Sequence, residues 1–262
     1  MSLTKRESIL CGLALIVPTI VATKFVLDRI LLRRTRGKKA AGCGYLDGSE
    51  TTEAMAVLVS LAELGFATTV FAPEGVQYDV VDHQSQKALG YAPRNILQES
   101  ARLSRGNVLP LGQLAADEFA CLVIPGGFGA AKNLCNWASA ASPQECVVRE
   151  EVRLALEAFA SQKKPIGLCC VAPVLAAVVF KNKQVKLTVG GGGGGEDWPY
   201  AGTVQQVQSL GCTHVECQVG QVLVDREHKV VTTPAFMSGT ASKFQVFSGV
   251  RGMVREVAWM VV

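Results

Sequence analysis

The alternation of apolar and polar stretches along the chain predicts short buried strands separated by helices. Brief apolar runs that end near glycine, proline or polar residues predict strands at residues 68–72, 120–124, 165–169, 185–189, 219–224 and 229–233. Good helix formers behind capping residues or proline predict helices at residues 51–64, 96–103, 143–162, 173–180 and 249–262. Strands that alternate with helices are typical of a mostly parallel sheet covered by helices on both faces. The sequence therefore predicts an α/β protein.

The first apolar stretch differs from the others because it is long enough to cross a membrane. Residues 9–23 are apolar apart from Thr19, and the run extends to residue 32 if three charged residues are tolerated. The basic residues lie mainly after this run, which opposes secretion. Two alternatives stay open: a mitochondrial leader, or an anchor that contacts the membrane through residues 9–32 and holds the domain on the cytosolic side. Residues 1–38 are assigned to this leader or anchor, and residues 39–262 to one domain.

Composition narrows the class of protein further. Of the 262 residues, 49% are hydrophobic and 18% are charged, so a packed globular domain is expected rather than disorder. Nine basic and two acidic residues give residues 1–39 a charge of +7, which leaves −3 of the net +4 on the other 223 residues. An acidic domain argues against a nucleic-acid partner. The nine cysteines are odd in number and match no zinc spacing, so no metal site is predicted, and free thiols in a reducing compartment are expected.

Cys170 is the strongest candidate for chemistry because it lies where a predicted strand turns into a helix. The sequence Pro165-Ile-Gly-Leu-Cys-Cys-Val-Ala-Pro173 begins as an apolar strand and ends with a proline that suits a first helical turn. Such a sharp corner lifts one side chain out of the sheet and leaves backbone N–H groups free beside it. The positive end of the helix dipole is expected to favour the thiolate of Cys170. The alternative is that Cys169 and Cys170 are both small core residues.

A thiolate nucleophile also needs a proton acceptor and donors that stabilise an oxyanion. Gly126 and Gly127 follow the strand predicted at residues 120–124, so their N–H groups are expected to face Cys170 across the ends of neighbouring strands. This glycine loop only half matches a dinucleotide-binding signature, and no cofactor is predicted. Glu53 lies in the first turn of the first predicted helix. Its alternative role is to complement the helix dipole, worth about 0.3–1 kcal/mol.

Four stretches together resemble the ElbB-type family, also called the enhancing-lycopene-biosynthesis or glutamine amidotransferase-like class 1 domain family. They are residues 42–50, 125–133, 165–173 and 232–237. The resemblance covers about residues 40–260 and implies membership of the ThiJ/PfpI superfamily. The fold implied is a flavodoxin-like three-layer sandwich with a mostly parallel sheet, of the class I glutamine amidotransferase type. Vertebrate members of the family are mitochondrial, so the resemblance also implies a mitochondrial location.

The resemblance implies roles for the candidate residues. In the superfamily the elbow cysteine works beside a glutamate from the first helix, and these residues are Cys170 and Glu53 here. The oxyanion pocket is expected from the glycine pair Gly126 and Gly127 together with Val171. Some members are water-dependent glyoxalases or deglycases, so the implied partner is a small reactive carbonyl compound. The second interpretation is a non-catalytic, redox-sensing or structural member with a degenerate site. A homo-oligomer is expected.

The sequence departs from its relatives at places that affect catalysis. Val171 follows Cys170, where the protease-like branch has a histidine. No His-x-Glu pair appears late in the chain, where true glutamine amidotransferases have it, so glutaminase activity is not expected. Vertebrate relatives usually have a histidine after Thr-Val-Gly, whereas Gly191 follows Gly190 here. The obvious proton shuttle is therefore missing.

The start of the domain is also unusual. The family begins with an apolar strand just before the Gly-Cys-Gly of residues 42–44, and that strand is central in the sheet. Residues 36–41 are Arg-Gly-Lys-Lys-Ala-Ala here, a composition that predicts no buried strand. Three alternatives follow: the fold lacks its first strand, residues 25–32 take its place, or the N-terminus is a replacement. A missing central strand would expose strand edges and apolar surface.

Overall fold

The computed structural model describes residues 38–90 and 93–261, and this part of the chain contains eleven strands and seven α-helices. The strands are β1 (Lys38–Lys39), β2 (Val70–Ala72), β3 (Val81–Asp82), β4 (Lys87–Ala88), β5 (Val108–Pro110), β6 (Leu122–Ile124), β7 (Ile166–Cys169), β8 (Lys186–Leu187), β9 (Thr213–His214), β10 (Leu223–Asp225) and β11 (Val230–Thr233). The helices are α1 (Thr51–Glu63), α2 (Ile96–Ala101), α3 (Phe128–Lys132), α4 (Glu150–Ser161), α5 (Pro173–Val179), α6 (Gly202–Ser209) and α7 (Lys243–Trp259).

Seven of these strands form one sheet in the order β10-β11-β7-β6-β1-β2-β5. Every neighbouring pair is parallel except β10 and β11, which form an antiparallel hairpin from the strands predicted at residues 219–224 and 229–233. Strands β6 and β7 run side by side with Ile124 opposite Leu168, so their carboxyl ends meet at the same edge. The predicted flavodoxin-like α/β class with a mostly parallel sheet is confirmed.

The core is built around the two strands that lead into the site. The large side chains of Leu122, Ile124, Ile166 and Leu168 on β6 and β7 are fully buried, as expected for parallel strands with both faces covered. Helices α1 and α7 pack against each other, α4 packs against α5, and both α4 and α7 contact β7. A rigid layer therefore supports the carboxyl ends of β6 and β7.

Residues 36–41 do contain a strand, so the alternative in which the fold lacks its first strand is wrong. Residues Lys38–Lys39 form β1 in the middle of the sheet, one residue before the predicted domain boundary, with Val70 paired on one side and Val123 on the other. Strands pair through backbone hydrogen bonds, so the lysine side chains do not prevent pairing. Two paired residues are enough to join β2 to β6. The two alanines that follow are buried and continue into the core. Residues 25–32, offered as a substitute strand, lie outside the described residues.

Other differences concern where elements begin. Residues 143–149, predicted to start a long helix, form a 3₁₀ turn and an extended segment before α4 begins at Glu150. The last helix begins at Lys243 rather than at residue 249, because Ser242 and Gln245 form a capping box at its N-terminus. The sequence predicts neither β5 nor α6, since both lie in stretches rich in polar residues and glycine.

None of the helices within residues 38–90 and 93–261 combines the length and the apolar character needed to cross a bilayer. The apolar stretch at residues 9–32 lies outside the described residues.

Replacing Phe159 by alanine should destabilise the domain strongly. Phe159 lies on the buried face of α4 and is 0% exposed, and truncating such a core aromatic residue costs about 3–5 kcal/mol. Leu154→Ala is the matched control, because Leu154 lies on the same helix and is 52% exposed. Urea denaturation should give a clearly lower midpoint for Phe159→Ala and a nearly unchanged one for Leu154→Ala. Equal stability of the two variants would contradict this packing of α4.

Candidate active site

The backbone at Cys170 has the geometry of a nucleophile elbow. Strand β7 ends at Cys169 and α5 begins at Pro173, and the turn between them places Cys170 at φ +60°. This left-handed conformation is uncommon for a residue other than glycine and is concentrated at functional sites. The Cys170 N–H donates to the Thr233 carbonyl of β11 at 3.1 Å, which holds the turn against the neighbouring strand. The elbow predicted from the sequence is therefore present.

Gly126, at the end of β6, lies in direct contact with the elbow. A Cβ atom built on Gly126 would be 2.3 Å from Cβ and 2.9 Å from Sγ of Cys170, and 2.8 Å from Oε2 of Glu53. No side chain fits at such distances, so glycine is required for these three residues to meet. The approach of the loop after β6 to the elbow confirms that the ends of β6 and β7 face each other.

Glu53 reaches this contact from the first turn of α1, where Glu50 caps the helix and accepts the Glu53 N–H at 2.7 Å. The Glu53 side chain is 0% exposed and hydrogen bonds to the Cys170 side chain. Its Oε2 accepts the Gly126 N–H at 2.8 Å, and its Oε1 accepts the Phe236 N–H at 3.4 Å. A residue that only complements a helix dipole would lie at the surface, so the alternative role does not account for this burial.

Burial makes the Glu53 carboxyl a weak acid. Desolvation is the largest cause and the nearby Glu50 charge the second, and together they raise the pKa of Glu53 from 4.5 to about 7. Hydrogen bonds from Cys170, Phe236 and Gly126 act in the opposite direction and limit the shift. At neutral pH the group is therefore poised between its acidic and basic forms, which suits proton transfer.

The expectation that the helix N-terminus favours the Cys170 thiolate is opposed by the structure. Burial, followed by the negative charge of Glu53, raises the pKa of the Cys170 thiol well above its usual range. The N–H groups of Gly127 and Val171 hydrogen bond to the sulfur and lower the pKa in part. Two anions in contact in a dry site repel each other, so the resting pair is a neutral thiol beside a carboxyl group that titrates near pH 7.

Two of the three predicted oxyanion donors face the sulfur. The N–H groups of Gly127 and Val171 hydrogen bond to Cys170, as the resemblance implied. Gly126 differs, because its N–H donates to Glu53 and is not free to stabilise an oxyanion on a substrate. Its contribution is to hold the carboxylate in place and to leave room for the elbow.

A cavity of about 480 Å³ opens in front of Cys170. Its wall is largely aromatic, and Phe128 and Tyr200 meet edge to face with their ring centroids 5.6 Å apart. Glu50 is the only charged residue among those that line it within the described part of the chain. The sequence does not predict this wall, because its residues come from separate parts of the chain and share no local motif. They are Tyr45, Phe128, Trp137, Tyr200, Phe236 and Met237.

The Trp198 ring packs against the two glycines at the position where the sequence lacks the expected histidine. Gly190 has φ +99°, and Cβ atoms on Gly190 and Gly191 would lie 2.2 Å and 2.6 Å from the Trp198 ring. The indole thus packs directly against the glycine backbone. A side chain at residue 191 would have to displace Trp198, so the indole ring fills the space that the expected histidine would need.

Within residues 38–90 and 93–261, no group of three His, Cys, Asp or Glu side chains is arranged to hold a metal ion. The eight cysteines in this part of the chain are all free thiols.

Two solved structures share this architecture. The isoprenoid biosynthesis protein with an amidotransferase-like domain from Ehrlichia chaffeensis is 32% identical, with a TM-score of 0.76 over 86% of this chain and 98% of that one. A ThiJ/PfpI domain protein from Brachyspira murdochii is 11% identical, with a TM-score of 0.51 over 87% and 98%, and supports the fold alone. The chain thus has an amidotransferase-like domain, with the α/β fold that ThiJ/PfpI domain proteins also have.

Curated relatives narrow this class to one family, although no family model matches the chain. The rat protein named "ES1 protein homolog, mitochondrial" is 44% identical over 217 residues, which are 83% of this chain and 80% of that protein. The human glutamine amidotransferase-like class 1 domain-containing protein 3, mitochondrial, is 43% identical over the same shares. This chain belongs to that family, and the ElbB-type resemblance is confirmed. The mitochondrial location predicted from the sequence is confirmed by the names of these relatives.

Proposed function

We propose that the protein converts a small 2-oxoaldehyde and water into a 2-hydroxy acid, with Cys170 as nucleophile and Glu53 as proton carrier. One observation carries the proposal. A fully buried carboxyl group with a pKa of about 7 is hydrogen bonded to the thiol of a nucleophile elbow at the base of a cavity. A base of that pKa is matched to neutral pH and lies within reach of the proton it has to remove.

In the first step the sulfur of Cys170 forms a bond to the aldehyde carbon. The thiol proton passes to the Glu53 carboxylate, and the aldehyde oxygen becomes an oxyanion that the N–H groups of Gly127 and Val171 stabilise. Glu53 then returns the proton to this oxygen, which leaves a neutral hemithioacetal. The raised pKa of the thiol does not prevent this step, because the proton leaves as the carbon–sulfur bond forms.

In the second step Glu53 removes the hydrogen of the former aldehyde carbon as a proton and delivers it to the neighbouring carbonyl carbon, while the hydroxyl group of the hemithioacetal gives its proton to the former ketone oxygen. The aldehyde carbon is thereby oxidised to a thioester and the ketone reduced to an alcohol, so no external electron acceptor is needed. Water then cleaves the thioester, which releases the 2-hydroxy acid and restores the Cys170 thiol. Glu53 alone carries the proton in each transfer between the thiol and the substrate. This suits a chain that has Gly191 where vertebrate relatives usually have a histidine.

The competing proposal is a non-catalytic member of the family. The observation that favours it is the packing of Trp198 against Gly190 and Gly191, which closes the position of the relatives' histidine. Oxidation sensing at Cys170 is less favoured, because the pKa of its thiol is raised, which slows attack on an oxidant. Glutamine hydrolysis is not proposed, since the chain lacks the His-x-Glu pair of the true amidotransferases.

Cys170→Ser should abolish turnover of methylglyoxal, whereas Cys169→Ser should retain most of it. Cys169 is the matched control because it is adjacent in sequence, also buried, and 3.5 Å from Oε2 of Glu53, but it lies in β7 and does not line the cavity. Proton NMR can follow loss of methylglyoxal and formation of lactate. Equal activity in wild type and Cys170→Ser would refute the proposal, and a wild type without any turnover would support the non-catalytic alternative.

A further inference from the structure

A second pair of thiols lies away from Cys170, in a short ribbon formed by residues 134–136 and 147–149. The two segments run antiparallel and are held by main-chain hydrogen bonds of 2.9 and 3.2 Å. These bonds place Cys135 opposite Val148. Residues two apart in an extended segment point to the same side, so Cys146 shares a face with Val148 and Cys135. The fold thus brings together two cysteines that are eleven positions apart in the sequence.

The two side chains are in contact. Cys135 and Cys146 hydrogen bond to each other through their sulfur atoms, and both are buried. The sulfur of Cys135 also lies 3.3 Å from the Ala130 carbonyl, which fixes its position at the end of α3. Cys135 borders a surface cleft of about 420 Å³, beside Val76 and Val147. A small solute therefore reaches the pair from the side of Cys135.

The environment makes the two sulfur atoms unequal. The hydrogen bond from Cys135 is the largest cause that lowers the pKa of the Cys146 thiol, and the Asn136 N–H adds to it, while burial opposes them. The same hydrogen bond, followed by burial, raises the pKa of Cys135. These two directions favour the thiolate on Cys146 over the thiolate on Cys135. An attacking thiolate beside a thiol that can resolve the product is the arrangement that reversible disulfide chemistry needs.

We propose that Cys135 and Cys146 form a reversible disulfide when the protein meets hydrogen peroxide. The Cys146 thiolate attacks one peroxide oxygen, the O–O bond breaks, and the departing hydroxide takes a proton and leaves as water. Cys146 then carries a sulfenic acid. The sulfur of Cys135 loses its proton and attacks the sulfur of the sulfenic acid, which expels a second water. The two thiols are oxidised by two electrons in total, and one peroxide bond is reduced.

This disulfide would act on the wall of the cavity. Trp137 and Ala138 lie inside the loop that it closes, and both line the cavity in front of Cys170. Two hydrogen-bonded sulfur atoms are further apart than two bonded ones, so the loop must tighten when the bond forms. Oxidation of the pair should therefore displace Trp137 without any reaction at Cys170. The inference is independent of the chemistry proposed for Cys170.

The full chain offers a direct test. Wild-type protein is reduced, freed of reductant, treated with one equivalent of hydrogen peroxide, and digested with trypsin without further reduction. Residues 133–149 form one tryptic peptide, since no Lys or Arg lies between Lys132 and Arg149. A disulfide between Cys135 and Cys146 therefore appears as the loss of two hydrogens from this peptide, and dithiothreitol should restore them. The mass of the peptide is read in the wild type, so no variant has to fold for the result to decide.

Four variants sharpen the result. Cys135→Ser and Cys146→Ser should each abolish the loss of two hydrogens, whereas Cys217→Ser, which removes a buried thiol elsewhere, should retain it. Oxidised wild type should show a shifted tryptophan emission that is absent in Trp137→Phe. The proposal is overturned if the peptide 133–149 keeps its reduced mass, or only gains oxygen, while the Cys170 peptide is oxidised. Disulfide formation without any change in Trp137 emission would overturn the proposed effect on the cavity.

Discussion

Replacing Glu53 by glutamine is expected to lower the turnover of methylglyoxal by ~10²–10⁴-fold, the usual contribution of a positioned general base. Glutamine keeps the size of the side chain but cannot accept the Cys170 proton. Because the pKa of Glu53 is about 7, the wild-type rate should rise with pH through about 7 as the carboxylate forms. Initial rates measured across this range should show the rise in wild type and a flat, low profile in Glu53→Gln.

The same substitution should change how stability depends on pH. The folded-state pKa of Glu53, about 7, lies above the unfolded value of 4.5, so the folded state holds the proton more tightly. Its contribution to stability is complete below about pH 4.5 and is lost as the pH rises through about 7, a total of roughly 3 kcal/mol. The unfolding free energy of Glu53→Gln should therefore increase relative to that of wild type between pH 5 and pH 8.

Glu63→Gln is the matched control for both measurements. Glu63 lies at the other end of α1, where it pairs with Arg251 at the surface and is far from the cavity. It should retain wild-type turnover and the wild-type rate profile. If wild type and Glu53→Gln share one pH profile and one pH dependence of unfolding, the carboxyl group at residue 53 is a structural cap and the proposed proton transfer is wrong.

Gly127→Ala should unfold or severely destabilise the protein. Gly127 has φ +92°, a conformation that costs alanine about 1–3 kcal/mol, and the added methyl group would lie 2.3 Å from the Gly48 carbonyl oxygen and 2.4 Å from the Glu50 nitrogen. Overpacking adds about 1–3 kcal/mol more. The loss of about 2–6 kcal/mol should lower the urea midpoint sharply. The N–H that faces Cys170 would move as well, so any surviving protein should lose carbonyl turnover.

Gly193→Ala isolates this effect from the general cost of replacing glycine. A Cβ atom on Gly193 would meet nothing within 4 Å, and the residue lies in the glycine run of residues 190–195. Its urea midpoint and its turnover should stay close to those of wild type. If Gly127→Ala were as stable as Gly193→Ala, the loop before α3 could move to make room for a methyl group. That result would contradict the tight contact of Gly127 with the backbone of Gly48 and Glu50.

Much of the site could be predicted because its signal is local. The apolar run before Cys170 and the proline at residue 173 fix the elbow, and the glycine pair after β6 marks a close approach of two strand ends. The partnership of Cys170 with Glu53 needed the family resemblance, since nothing local links α1 to β7. Which peptide N–H faces the sulfur depends on the orientation of single peptide planes. The sequence therefore does not show that the Gly126 N–H donates to Glu53 and not to the sulfur of Cys170.

Other properties depend on tertiary burial, which the sequence does not carry. The sign of the Cys170 pKa shift reverses because desolvation exceeds the effect of the short helix α5, and no local pattern reports the depth of a side chain. The residues of the aromatic wall are far apart in the chain, so no regular spacing in the sequence predicts that they meet. The amino-acid composition does not predict the first strand, because its residues are lysines. Backbone pairing of these two residues is nevertheless sufficient to form it.

The central place of β1 has a mechanical consequence. This strand follows directly after residues 1–37, so a force applied to the N-terminal end of the chain acts on the middle of the sheet rather than on an edge. Removing β1 separates β2 and β5 from β6, β7, β11 and β10 in one event. A domain pulled by that end should therefore give way as a whole instead of unravelling strand by strand.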